Sequence, residues 1–190
     1  MKLVVLLGLL FGLAGCATRD PAFDPGSALS EVQDLKGAVC NPIADSPGQA
    51  VVLIFVRTDC PISNHYAPEL ERLKKAYSPQ VAFWLVYPDA ETTASEITAH
   101  LKEYSLTLKP LRDPRHQLVR RAAVKVTPEA AVFAGGVEIY HGRIDDRYVD
   151  FGKERPAPTR RDLDLVIQSV LAGRPVPKGR AAAIGCYITD

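Results

Sequence analysis

Six consecutive residues, Val51-Val-Leu-Ile-Phe-Val56, are apolar, and all but Leu53 are β-branched or aromatic. A run of this kind belongs to a strand buried on both faces of a sheet. Thr58-Asp59-Cys60-Pro61 follows, and then Tyr66, Leu70, Leu73 and Tyr77 recur at helical spacing on one face. Cys60 is therefore predicted to sit where a central strand feeds a helix.

The rest of the pattern places that junction in a larger plan. A second strand, Val81 to Tyr87, ends at Pro88-Asp89 and leads to a helix with Ile97, Leu101 and Tyr104 inward, completing a βαβ unit. A short extended segment is expected over 106–111 and a short helix over 116–124. Residues 129–134 and 137–143 read as strands joined by Gly135-Gly136, a pair whose permissive backbone suits a tight hairpin turn. Leu163, Val166, Ile167, Val170 and Leu171 form one stripe of a closing helix that Gly173 and Pro175 end. The charged stretch Arg143 to Tyr148 reads as a solvated loop with local ion pairs. The order predicts an α/β domain with a central mixed sheet flanked by helices.

The N-terminus consists of Met1, Lys2, an apolar stretch too short for a comfortable membrane span, and Cys16. This is the pattern of an export signal, and Leu13-Ala14-Gly15-Cys16 resembles the lipobox of bacterial lipoproteins. The resemblance implies a signal peptide over 1–15, a lipid on Cys16 and a membrane anchor on the periplasmic face. Ala17, rather than an aspartate, favours the outer membrane. Residues 16–30 are Pro-rich and suit a tether, 31–172 form the domain, and 173–190 form a tail carrying Cys186. Once Lys2 is removed with the leader the chain carries 22 basic and 22 acidic residues, so a nucleic-acid partner gains no support.

With Cys16 assigned to the lipid, Cys40, Cys60 and Cys186 remain in an oxidising compartment. Three thiols allow at most one disulfide within the chain. Thiol chemistry requires a thiolate, which a helix N-terminus stabilises; Arg57 would help and Asp59 oppose. Cys186 lies in an apolar island, Ala183 to Ile188, and roughly thirteen extended residues reach about 43 Å, enough to cross a domain. Cys186 is the preferred internal partner of Cys60, and Cys40 is the alternative.

The chain resembles the thioredoxin-like superfamily, specifically redoxin and alkyl-hydroperoxide-reductase/thiol-specific-antioxidant domains. The likeness covers roughly residues 31 to 172. It rests on Thr58-Asp59-Cys60-Pro61-Ile62-Ser63 at the turn, on Pro68 eight residues after Cys60, and on Thr127-Pro128 before the hairpin. The resemblance implies a thioredoxin-like fold and a thiol-disulfide oxidoreductase without a cofactor. Cys60 would be an accessible nucleophile, Thr127 and a cis Pro128 would present the substrate backbone, and protein thiols or disulfides would be the partners.

The motif departs from the dithiol pattern because Ser63 stands three after Cys60, so Ser63 either donates to the thiolate or caps the helix. Ile54 occupies the position where thioredoxins keep a buried carboxylate. Two other activities of this fold are weaker fits. A thiol peroxidase would carry Pro and Thr where Leu53 and Arg57 stand. A copper chaperone of the Sco type would carry a second cysteine where Asn64 stands, leaving Cys60, Cys186, His65 and His141 as donors, and no metal ligands are assigned.

Overall fold

The computed structural model describes Leu29, residues 32–177 and residues 181–189. The leader, Cys16 and the tether apart from Leu29 lie outside the described residues. In chain order the elements are β1 (Ala50–Phe55), α1 (Pro61–His65), α2 (Ala67–Tyr77), β2 (Val81–Tyr87), α3 (Ala94–Glu103), β3 (Lys109–Arg112), α4 (Gln117–Arg121) and β4 (Val126–Thr127). They continue with β5 (Glu129–Ala134), β6 (Val137–Gly142), β7 (Tyr148–Asp150), β8 (Lys153–Glu154), α5 (Asp162–Leu171) and β9 (Cys186–Tyr187).

The main sheet has the order β3-β2-β1-β5-β6. The first three strands are parallel, and β5 and β6 run antiparallel. All six residues of β1 are buried, as the apolar run requires. Val52 and Ile54 face a cluster with Leu70 and Leu73 of α2, Ile97 of α3 and Ile167 of α5. Val51, Leu53 and Phe55 face the opposite cluster with Leu118 and Val119 of α4. Each such side chain contributes about 1.5–3 kcal/mol by leaving water, so β1 is anchored from both sides.

The helix predicted after Cys60 is in fact two. Pro68 has no N–H to offer the Asn64 carbonyl, the Tyr66 amide closes the first helix on the Ser63 carbonyl at 3.1 Å, and the chain restarts as α2. The hairpin is as expected, with Gly135 and Gly136 at φ 57° and 80°. Strand β3 begins three residues later than the sequence suggested and includes Pro110, which an edge strand tolerates. Gln33 covers that edge through two backbone bonds with Arg112, of 3.0 and 2.8 Å. Helix α4 is shorter than the predicted segment, because His116 and Ala123 on either side take left-handed φ values.

One correction concerns a segment read as a loop. Arg143 to Tyr148 is not a solvated loop: Ile144, Asp145 and Asp146 are all buried. Asp146 accepts the Thr159 and Arg160 amides, and Asp145 accepts the Arg147 amide and the Tyr66 hydroxyl. The acids turn inward because they close backbone and hydroxyl donors that would otherwise be buried unpaired. The hairpin β7–β8 was not foreseen, and its strands are two and three residues long.

Candidate active site

Cys60 immediately precedes α1 in an extended conformation, with φ −89° and ψ 109°, and its carbonyl accepts the Asn64 amide at 3.0 Å. The end of β1 thus delivers the sulfur to the junction that the sequence pattern predicts. Across from it, the Thr127–Pro128 peptide bond is cis. The Cys60 Sγ lies 3.1 Å from the Thr127 carbonyl oxygen.

The tail completes the site. Strand β9 pairs antiparallel with β4, placing Val126 opposite Tyr187 and Thr127 opposite Cys186. The Ile188 amide extends the ladder to the Lys125 carbonyl at 3.0 Å. This brings Cys186 Sγ to 2.7 Å from Cys60 Sγ, although they lie 126 positions apart in the chain. Both cysteines are free thiols here.

The two sulfurs differ in acidity. Burial opposes ionisation of Cys60, yet hydrogen bonds from the Cys186 thiol, from the Ser63 hydroxyl and amide and from the Cys186 amide outweigh it, so its pKa lies below the ordinary thiol value. The Ser63 hydroxyl is buried with no hydrogen-bond partner among the described residues, so it can turn to the sulfur once Cys60 ionises. Capping is excluded as its role, since the residue before α1 is Cys60 and no side chain caps that helix. Burial, followed by the hydrogen bond to Cys60 and its charge, pushes Cys186 up to about 12. Of the two sulfurs, Cys60 is therefore the one that ionises first, and the Cys186 thiol keeps its proton and donates to it. When Cys60 is protonated, its own S–H faces the Thr127 carbonyl. Because α1 has only five residues, these direct bonds carry more of the stabilisation than the helix-dipole argument from the sequence assumed.

The sulfur is less accessible than the sequence reading required: Cys60 is 1% exposed, while Cys186 is partly exposed. Arg57 binds Asp59 at 2.9 Å, so the two charges flanking the motif offset each other. Ile54 is packed in the core and offers no proton-handling group.

Several neighbours were invisible to sequence reasoning because their partners are distant in the chain. Asn64 donates to the Thr58 carbonyl at 3.0 Å and to the Tyr104 hydroxyl at 3.2 Å, and its Oδ1 lies 2.9 Å from His100 Nε2. His100 Nδ1 in turn meets the Tyr87 hydroxyl at 2.9 Å. This chain of side chains fixes the turn that carries Cys60. Burial lowers the His100 pKa, so its neutral form is favoured.

The remaining thiol and the two histidines stand apart. Cys40 is half-buried with its sulfur 3.4 Å from the Ala38 carbonyl, and burial followed by the charge of Asp34 raises its pKa. His65 is engaged with the Tyr148 hydroxyl and with Glu154, and His141 with Glu138. Among the described residues no group of three or more His, Cys, Asp or Glu side chains is arranged to hold a metal.

No family model and no curated protein matches the sequence. Solved structures do match by shape. A conserved protein of Geobacillus kaustophilus superposes with a TM-score of 0.71 at 22% identity, over 84% of this chain and 87% of that one. A secreted disulfide oxidoreductase of Mycobacterium tuberculosis, homologous to DsbE of Escherichia coli, gives 0.52 at 21% identity over 77% and 98%. An exposed lipoprotein thioredoxin of Streptococcus pneumoniae gives 0.50 at 20% identity over 58% and 85%. The parallel β3-β2-β1 unit, the antiparallel β5-β6 pair, the cysteine at the end of β1 and the cis proline before β5 together define this chain as one of thioredoxin-like fold.

Proposed function

We propose that the protein is a thiol-disulfide oxidoreductase in which Cys60 is the nucleophile and Cys186 the resolving thiol. The contact of the two sulfurs beside the Thr127 carbonyl carries this reading. The Cys60 thiolate attacks one sulfur of a client disulfide, forming a mixed disulfide and releasing the other client sulfur as a thiolate that takes a proton. The Cys186 thiol loses its proton and attacks Cys60 Sγ, so that a Cys60–Cys186 disulfide forms and the client leaves as a dithiol. Two electrons pass from protein to client, and the same steps reversed oxidise a client. The M. tuberculosis and S. pneumoniae structures named above support the assignment by their fold and their own stated roles.

The same reading places the protein on the periplasmic face of a bacterial membrane, held by a lipid on Cys16, with the outer membrane favoured. The lipobox-like Leu13 to Cys16 supports this. Protein thiols or disulfides are its partners, and no cofactor takes part.

Non-reducing peptide mapping of the oxidised protein tests the chemistry. A peptide joining Cys60 to Cys186 is expected, whereas a Cys60–Cys40 link, or no link at all, overturns the assignment. Mass analysis of the N-terminal peptide from the membrane fraction tests the anchor.

A further inference from the structure

The nucleophile carries a lowered pKa yet lies almost entirely out of solvent, and the segment beside it is the chain's own tail. A client disulfide has no route to Cys60 Sγ while β9 holds its place. The way β9 is held indicates both what can replace it and how.

The attachment is mostly backbone to backbone. Residues 186 and 187 form the ladder with β4, and Ile188 adds one bond to Lys125. Ladder bonds of this type accept any extended polypeptide, with selectivity left to the side chains. Ile184 and Cys186 pack on one core cluster and Ile188 on the other, while Tyr187 points outward. Between the ladder and the point where the Arg143 amide bonds the Ala181 carbonyl, the tail borders a cavity of about 340 Å³ lined in part by Val126, Glu129 and His141. The tail is thus paired with β4 at its cysteine and borders open space at residues 181–183.

One residue sets the fit. A Cβ built on Gly185 would lie 2.2 Å from the Thr127 carbonyl oxygen, 2.6 Å from its carbon and 3.1 Å from the Pro128 nitrogen. All three are backbone atoms of the cis-proline segment, so no side chain can move aside to make room. A strand bound in this register has space only for glycine immediately before its cysteine.

We propose that the β4 edge beside Cys60 is a binding site for extended polypeptide selective for a Gly-Cys pair, and that β9 is its built-in occupant, which a client strand displaces. The proposal rests on the oxidoreductase reading and adds the client class to it. In the reduced protein the tail is held without a covalent bond, by the ladder, the Arg143–Ala181 backbone bond, the Cys186–Cys60 hydrogen bond and the packing of Ile184, Cys186 and Ile188. In the oxidised protein the Cys60–Cys186 bond fixes it in place.

The test uses the full chain with Cys40→Ser and Cys186→Ser, so that Cys60 is the sole thiol of the domain while the tail is retained. The probe is a synthetic peptide copying residues 182–188, its cysteine activated as a mixed disulfide with thionitrobenzoate; a second peptide has alanine in place of its glycine. Attack by Cys60 joins the protein to the peptide cysteine and releases one thionitrobenzoate anion, which is followed by its colour. Adding Gly185→Ala to the protein is expected to unseat the tail and accelerate the reaction with the Gly-Cys peptide about tenfold or more, since the open fraction scales the observed rate. The alanine peptide is expected to remain slower by a similar factor. Amide exchange of Ile188 should rise in the Gly185→Ala chain independently of any chemistry.

Equal rates for the two peptides overturn the selectivity, and unchanged Ile188 protection together with an unchanged rate overturns the gate. Either result leaves the oxidoreductase reading intact. If Cys60 fails to react even with a small aromatic disulfide in the unseated chain, the oxidoreductase reading falls and this proposal with it.

Discussion

Thr127 stands directly opposite Cys186 in an antiparallel ladder, although they lie 59 positions apart in the chain. The same threonine directs its carbonyl oxygen at the Cys60 sulfur. A single residue before the cis proline thus positions both thiols, one through its carbonyl and one through the strand pairing.

Substitution of either sulfur should separate the two halves of the proposed cycle. Cys60→Ser is expected to abolish turnover with the fold retained. Cys186→Ser is expected to permit the first exchange and then stall at a client mixed disulfide, visible as a mass adduct on non-reducing gels. Retained turnover in Cys60→Ser would contradict the assignment of the nucleophile.

Ser63→Ala removes a hydroxyl that favours the Cys60 anion, so the Cys60 pKa should rise, read as a shift of the ultraviolet thiolate titration to higher pH. The sign of the linkage follows from the direction of each shift. The lowered pKa of Cys60 contributes stability that is present above its unfolded value and lost as pH falls through the folded one. The raised value of Cys186 contributes stability present below its unfolded pKa and lost as pH rises toward about 12. Denaturant titrations of the reduced protein should show both flanks, and Cys186→Ser should flatten the alkaline one.

Tyr66→Phe is expected to destabilise the protein by about 1–3 kcal/mol, because it removes one of the two hydrogen bonds that a buried carboxylate oxygen accepts. The acceptor is Asp145, 2% exposed, whose other oxygen has no partner among the described residues. For a chain of this size that corresponds to a melting temperature lower by roughly 2–12 °C. A melting temperature unchanged from the parent would show that the Tyr66–Asp145 bond carries no net stability.

His100 links acid stability to the active-site turn. Its folded pKa is lowered by burial, so it contributes stability above the unfolded value of about 6.5 that is lost as pH falls. His100→Gln cannot take up that proton, and its melting temperature should depend less on pH below about 6.5 than the parent's. Parallel pH profiles for the two proteins would remove His100 from this role.

Much of the fold was legible because it is written in local periodicity. The continuous run of β1, the helical stripes of α2, α3 and α5 and the Gly135-Gly136 turn are short-range signals, and the structure places these elements as expected. Cys60 and the cis Thr127–Pro128 bond were legible too, since each sits at a fixed offset from such an element. The inward turn of Asp145 and Asp146 was not, because charge alone reads as exposure and their donors lie at Tyr66, Thr159 and Arg160. Nor was the Asn64–His100–Tyr87 chain, whose members come from α1, α3 and β2.

The amino-acid order by itself determined that a strand would deliver Cys60 to a helix start, and that Cys186 would lie within reach of it. Tertiary structure alone decided that Cys186 arrives as a strand paired with Thr127, that its thiol donates to the Cys60 sulfur, and that the nucleophile is covered. The physical reason is that ladder pairing and burial depend on which backbone edge is left open once the sheet has closed, and no local pattern around residue 186 encodes that edge.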